Sequence, residues 1–363
     1  MIDASRTEPP PRKITFSPGE TVADAARKAI AFGAESMLRH QSAAESGEAE
    51  PLHQLRVTAR RLRATIELFS SVIYASQLKY FRRDIPWIAH QAGSCRECDV
   101  TSVLLAARAA RIDPDLRQEI APMIAALEER RKSEHANLYE MLASKRYRGL
   151  LAKLSHPAIK KAGAERRLGI IAAQLIRPAS RGAARLGEKV GREAPTPVFH
   201  KLRVRIKRLR YELEMMAPLG AKRHRKTLRR LEELQEMLGI YHDVTVASAW
   251  LLSYAETPNV PPRTMLAAGA LIQSLDSREK KLRRQCMKEW RRFERSDAMH
   301  DTLAEIRRSG RLALKPVSVP SPDADASEAA PPDRSEVSHG DDEHTPSHNH
   351  HSMDSHSATE TIA

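Results

Sequence analysis

The residues of this 363-residue chain best equipped for chemistry are cations, and they come twice. His53-Gln54-Leu55-Arg56-Val57-Thr58-Ala59-Arg60-Arg61-Leu62-Arg63 recurs as His200-Lys201-Leu202-Arg203-Val204-Arg205-Ile206-Lys207-Arg208-Leu209-Arg210. Seven of eleven positions are identical, Lys207 keeps the charge of Arg60, and the offset is 147 residues. Arginine offers a planar fork that grips phosphate in bidentate fashion, lysine a compact point charge, and histidine a donor that gains charge at mildly acidic pH. That chemistry suits anion binding. It does not suit zinc, which takes three or four protein ligands, because each run supplies one histidine and no cysteine or carboxylate on its face.

Helical phase sorts these side chains. At about 100° per residue, Leu55, Ala59, Leu62 and Ile66 share one stripe, and His53, Arg56, Arg60 and Arg63 share the adjacent face. The second run repeats this, with Leu202, Ile206, Leu209 and Leu213 inward beside His200, Arg203, Lys207 and Arg210. Each cationic face climbs about 15 Å, with neighbours only ~5–6 Å apart. Like charges so close destabilise a helix, and no acidic residue is read on the stripe to offset them. A row of phosphates alongside removes the repulsion. A solvated basic face would explain one such helix; its repetition in phase weighs against that reading.

A second landmark echoes at nearly the same offset, Gly93-Ser94-Cys95-Arg96-Glu97 against Gly239-Ile240-Tyr241-His242-Asp243, 146 residues apart. Two landmarks in order predict a duplicated half. Cys95-Arg96-Glu97-Cys98 is a C-x-x-C, but there is no second pair and no βαβ pattern around it, so these thiols and Cys286 read as structural. Three cysteines are also too few for a disulfide framework.

The elements that must hold these faces are helical. Aromatics are 4%, fifteen glycines leave few tight turns, and Ala, Leu, Arg and Glu predominate, all strong helix formers. Helical patterns are expected to start at Ser17-Pro18-Gly19-Glu20, to run over 52–75 and 77–110 with interruptions at Pro86 and Gly93, and to run from Asp113-Pro114 towards Ser144. A second series covers 164–190, Pro195 to Ala217, 221–238 and 240–255 split at Gly239, and 263–308 as one helix or a pair. The expected fold is all-α: a duplicated half of roughly four helical segments makes two similar bundles the economical architecture.

Charge is unevenly spread. The chain carries 60 Lys and Arg against 46 Asp and Glu. Residues 315–363 hold two basic and ten acidic ones, so 1–314 carry 58 against 36, a surplus of +22. A folded body so charged favours a polyanionic partner. Residues 1–16 and 313–363 read as disordered, the latter an acidic, His-rich tail (His339, His344, His348, His350, His351, His356) too polar to bury a core. Weak metal binding by the tail is the lesser reading against a solubilising role; no cofactor or metal site is expected elsewhere. The folded region is expected over 17–312, in halves of about 17–155 and 156–312. No signal-peptide core or ~18-residue apolar run is present, so a cytoplasmic protein without membrane contact is expected.

H-x-L-R-V-x-x-[RK]-R-L-R, twice, each time followed about 40 residues on by G-x-x-[RH]-[ED], resembles the CHAD family, the conserved histidine α-helical domain, from about Ser17 to Arg311. The resemblance implies two four-helix bundles related by an internal pseudo-twofold duplication, with a basic groove or channel between them, and a module that binds inorganic polyphosphate and associates with polyphosphate granules. From its residues the chain is expected to bind and not to catalyse, and a scaffold role would add granule proteins as partners. By position the resemblance implies His53, Arg56, Arg60, Arg63, His200, Arg203, Lys207 and Arg210 as ligand-facing residues. Lys79, Arg82, Arg83, Lys222, Arg225 and Arg229 are further candidates on the following helices, each balanced by a solvated-face reading. Glu97 and Asp243 are expected to orient arginines; the first departs from the family's usual R-D by one methylene, and His242 stands where the family often has an amide or a basic residue.

Two rivals stand beside this reading. An accessory subunit of a polyphosphate- or triphosphate-processing enzyme is one, because relatives are sometimes fused to an E-x-E-x-K triphosphatase. Here Glu48-Ala49-Glu50-Pro51-Leu52 lacks the lysine, and neither a phosphate loop nor a carboxylate cluster accompanies the basic faces. Nonspecific nucleic-acid binding is the other. It needs only charge, but strand binders add regular aromatic platforms and these faces carry none beyond Tyr211. Weak nucleic-acid binding is expected as a side activity.

Overall fold

The computed structural model describes residues 14–45, 49–191 and 193–314, and among them every regular element is a helix. The helices are α1 (Val22–Glu45), α2 (Ala49–Leu68), α3 (Ala75–Ala109), α4 (Ala121–Ala143), α5 (Lys145–Ser155), α6 (Leu168–Gly187), α7 (Thr196–Met215), α8 (Lys222–Ala255), α9 (Pro262–Glu294) and α10 (Ala298–Leu312). Two short 3-10 turns, Pro114–Ile120 and Ala217–Leu219, join α3 to α4 and α7 to α8. Residues 1–13 and the acidic tail from 315 lie outside the described residues. Phe16, assigned above to a disordered segment, is buried with its ring edge-on to Phe69.

Neighbours repeat along the chain. In the first half α2 packs against α1 and α3, α4 against α3, and α5 against α1. In the second, α7 packs against α6 and α8, α9 against α8, and α10 against α6. The halves meet where α2 touches α7, where α3 touches α8, and where α9 packs on the Pro114–Ile120 turn. Each half has five helices where four were expected. Ser144 divides α4 from α5 by turning to extended backbone and accepting the Tyr147 amide at 3.1 Å. Asp297 divides α9 from α10 by turning left-handed, at φ 47°.

The predicted core stripes are buried: Leu55, Ala59, Leu62 and Ile66 on α2, and Leu202, Ile206, Leu209 and Leu213 on α7, are each at most 1% exposed. Burying such a side chain contributes ~1.5–3 kcal/mol, so the stripes fix which way the adjacent cationic faces point.

Several boundaries differ from expectation. Pro86 and Gly239 do not interrupt their helices. A proline removes one backbone donor, but buried Ile85 and Ile88 anchor α3 around Pro86. Gly239 likewise sits between buried Leu238 and Tyr241. The first helix starts later than Ser17: Thr21 accepts the Asp24 amide at 3.1 Å and donates its hydroxyl to the Asp24 carboxylate at 2.7 Å, a reciprocal cap. Asp113-Pro114 opens the 3-10 turn instead of α4, with Asp113 accepting the Asp115 amide.

Candidate functional site

Where α2 and α7 face α3 and α8, a cavity of about 230 Å³ opens. Both cationic faces reach it: His53, Arg56 and Arg60 from α2, Arg203 and Lys207 from α7. The second landmark completes the wall, with Arg96 and Glu97 from α3 and Gly239, His242 and Asp243 from α8. Thus residues 147 positions apart in sequence share one small space because the core stripes turn both faces towards it.

The cations in this space have little protein to neutralise them. Arg60, Arg203 and Lys207 form no ion pair or hydrogen bond among the described residues, and Arg56 has only a long 3.4 Å contact from Nη2 to His53 Nδ1. The Nε atoms of Arg56 and Arg203 are buried without a partner, a costly state for a charged donor. Burial and then mutual repulsion pull these groups down. Arg56 falls to about 10 through burial and then Arg60, Arg203 and Arg96. Arg203 falls to about 10 through burial and then Arg60. Lys207 falls to about 6, again through burial first and then Arg203, Arg60 and Arg56. The arginines stay charged at neutral pH, while burial and its arginine neighbours favour the uncharged form of the Lys207 amine.

The histidines follow the same rule. His53 and His200 are lowered by burial and then by nearby arginines, and His242 drops to about 3. His200 itself is exposed; its Nδ1 lies 3.3 Å from that of His242, on the cavity wall. Glu97 and Asp243 both line the cavity, yet neither hydrogen-bonds an arginine among the described residues. They act through space, each opposing the depression of Arg60. Burial raises Asp243 despite the pull of Arg203, Lys207, Arg56 and Arg96.

Not every predicted residue arrives. Arg63 is exposed and outside the cavity, within the field of Glu67 one turn on. Arg210 is drawn off by Glu214 at 3.2 Å and Glu232 at 3.0 Å. Glu67 and Glu214 each lie four residues beyond an arginine of the stripe, so acidic residues do offset its far end. That i,i+4 spacing is the sequence signal that separates these two arginines from the rest. The six candidates on the following helices are exposed and none lines the cavity. Arg82 grips Glu67 with two bonds of 2.8 Å, and Arg83 pairs with buried Asp84. Conversely, Arg96, His242 and Gln235 line the cavity though sequence reasoning did not place them there. The landmark motif around Gly93 and Gly239 carried that signal for the first two; Gln235 had none.

A cluster of unpaired, half-buried cations shared by two helices is a ready host for an anion. Among the described residues no group of three His, Cys, Asp or Glu side chains could hold a metal. Cys95, Cys98 and Cys286 are buried free thiols, raised by burial, Cys95 to about 11 and Cys286 to about 12.

Comparison with family models matches residues 28–252 to the CHAD domain. The chain belongs to the CHAD domain family. Two solved structures superimpose on it. PptA from Streptomyces chartreusis is 18% identical with a TM-score of 0.63, covering 75% of this chain and 100% of its own. The crystal structure of the CHAD domain from the plant Ricinus communis is 22% identical with a TM-score of 0.63, covering 77% and 95%. No curated protein matches the sequence. Both likenesses show the all-helical fold. Among the described residues of this CHAD protein, no helix is long and apolar enough to cross a membrane.

Proposed function

We propose that the chain is a non-catalytic binding module for inorganic polyphosphate that associates with polyphosphate granules. The observation that carries this reading is the convergence of Arg56, Arg60, Arg203 and Lys207, from two helices, on one cavity in which none is ion-paired among the described residues. Left so, buried like charges oppose folding; a chain of phosphates threaded past them supplies the missing counter-charge and hydrogen-bond acceptors. The CHAD resemblance selects polyphosphate among polyanions. The size of the cavity agrees, since it has no room for a duplex, and the basic faces lack the repeated aromatic platforms of a strand binder. Phosphoryl transfer would need metal-holding carboxylates and a positioned nucleophile. Glu97, Glu236 and Asp243 are the acids of this cavity, and no group of three His, Cys, Asp or Glu side chains among the described residues is placed to hold a metal. Granule proteins are further partners of this reading, nucleic acid a weak one, and a membrane none.

The test is a competition titration of long-chain polyphosphate against single-stranded and duplex DNA at low and physiological salt, with wild type and a variant carrying alanine at 53, 56, 60, 203 and 207. Polyphosphate binding that persists at physiological salt, exceeds both DNAs and collapses in the variant is the expected result. Equal affinity for all three, indifferent to the variant, would reduce the cationic faces to general positive charge.

A further inference from the structure

The cationic cavity does not end at Asp243. Val246, Thr101 and Glu97 belong to its wall and also to that of a second cavity, of about 280 Å³, bounded by α3, α4 and α8. This neighbour is mainly apolar, lined by Leu127, Val246, Ala249 and Trp250. Trp250 is half-buried and stacks on Tyr254 with ring centroids 5.3 Å apart. Asp243 and Trp250 are seven residues apart on α8, hence two turns along one face and about 10 Å in rise. Beyond the cations of α2 and α7, a carboxylate and then an aromatic recess thus follow one another along α8.

A bare phosphate chain uses only the first of these. Glu97, exposed and in no ion pair among the described residues, stands at the junction, where it would repel a phosphate. A carboxylate there instead accepts hydrogen bonds from sugar hydroxyls, and an aromatic ring beyond it offers a stacking surface for one base. One platform suits one base, not a strand.

We propose that this site also takes a nucleoside 5′-polyphosphate, with its phosphates among Arg56, Arg60, Arg203 and Lys207, its ribose at Glu97 and its base in the recess beside Trp250. The inference rests on the phosphate reading of the first cavity and adds the ligand's other end.

The experiment is calorimetric titration of the full chain with ATP and with inorganic tripolyphosphate, which carry phosphate chains of the same length, at physiological salt. ATP should bind about tenfold tighter, the gain one base–aromatic stack supplies. Trp250→Ala should bring ATP to the tripolyphosphate level while leaving tripolyphosphate and long-chain polyphosphate unchanged; Trp250→Phe should restore most of the difference. Should Trp250→Ala fail to fold, Glu97→Gln replaces it and is expected to narrow the ATP-to-tripolyphosphate ratio at least threefold. Equal wild-type affinities for ATP and tripolyphosphate, or a ratio indifferent to both Trp250→Ala and Glu97→Gln, overturns the nucleoside site and leaves the polyphosphate reading standing. Binding of all phosphate ligands that is indifferent to Lys207→Ala overturns both.

Discussion

Lys207 shows what the site asks of a single side chain. Its amine is held at about 6, against 10.5 ordinarily, by burial and then by Arg203, Arg60 and Arg56. Between those two values the unfolded chain binds a proton that the folded chain does not, so this residue's contribution to stability improves as pH rises across that window and is least favourable below about 6. An arriving polyanion reverses the balance by favouring the charged amine. Polyphosphate binding should therefore take up protons at neutral pH and tighten as pH falls from 8 towards 6, flattening below. Titration calorimetry in buffers of differing ionisation enthalpy reads the uptake; a binding enthalpy independent of buffer would refute it. Lys207→Met should raise the melting temperature of the free protein by about 2 °C or more, a gain of the order of 1 kcal/mol, while weakening polyphosphate binding. At this scale the sequence was legible up to a point. Arg56, Arg60, Arg203 and Lys207 could be read from phase and charge. That Arg63 and Arg210 leave the site depends on Glu67 and Glu214 competing for them, and His242 enters only because α8 crosses α7.

Elements carry the register that brings the two faces together. The N-terminus of α8 is fixed by Glu305 of α10, whose carboxylate accepts the amides of Ala221, Arg223 and His224 at 2.9–3.2 Å. Burial opposes its ionisation, but those three donors hold it below the usual carboxylate range. Glu305→Ala should cost about 1 kcal/mol in denaturant unfolding, as lost caps do, and the wild-type advantage should fade as acid titrates that carboxyl. In turn α10 is seated by backbone contact with α6, where a Cβ on Gly310 would lie 2.0 Å from the Gly169 carbonyl oxygen. Gly310→Ala must move one helix, so it should destabilise by about 2 kcal/mol or more. Gly239 is the opposite case. It lies mid-helix on the cavity wall, and a Cβ added there would meet nothing within 4 Å. Gly239→Ala should stabilise α8 by about 0.5–1 kcal/mol, whereas a leucine there should fill the cavity and exclude phosphate. Gly93 and Gly239 looked like helix breaks in the sequence because glycine is a poor helix former; packing by Leu238, Tyr241 and their counterparts overrides that preference.

At the scale of the whole molecule the governing quantity is charge. Helical content and the order of elements could be read from periodicity alone, whereas the joining of both basic faces in one cavity depends on contacts between α2 and α7 and between α3 and α8 that no local pattern encodes. On the proposed polyphosphate reading, four cations facing phosphate predict that log affinity falls with log salt at a slope of about −3, and that each alanine substitution among them reduces the slope by roughly 0.7. The acidic segment 315–363 carries a net −8 against +22 in residues 1–314 and is expected to compete with the polyanion. Its carboxylates are spread over many residues and lack the close spacing of phosphates, so they should compete only while charges act at long range. Removing 315–363 is therefore expected to tighten polyphosphate binding at low salt. The gain should disappear near about 0.15 M, where the screening length is about 8 Å. Affinity that does not change on deletion at any salt concentration would mean that the tail stays clear of the cationic cavity, and that the surplus charge of the body is left for the polyanion alone.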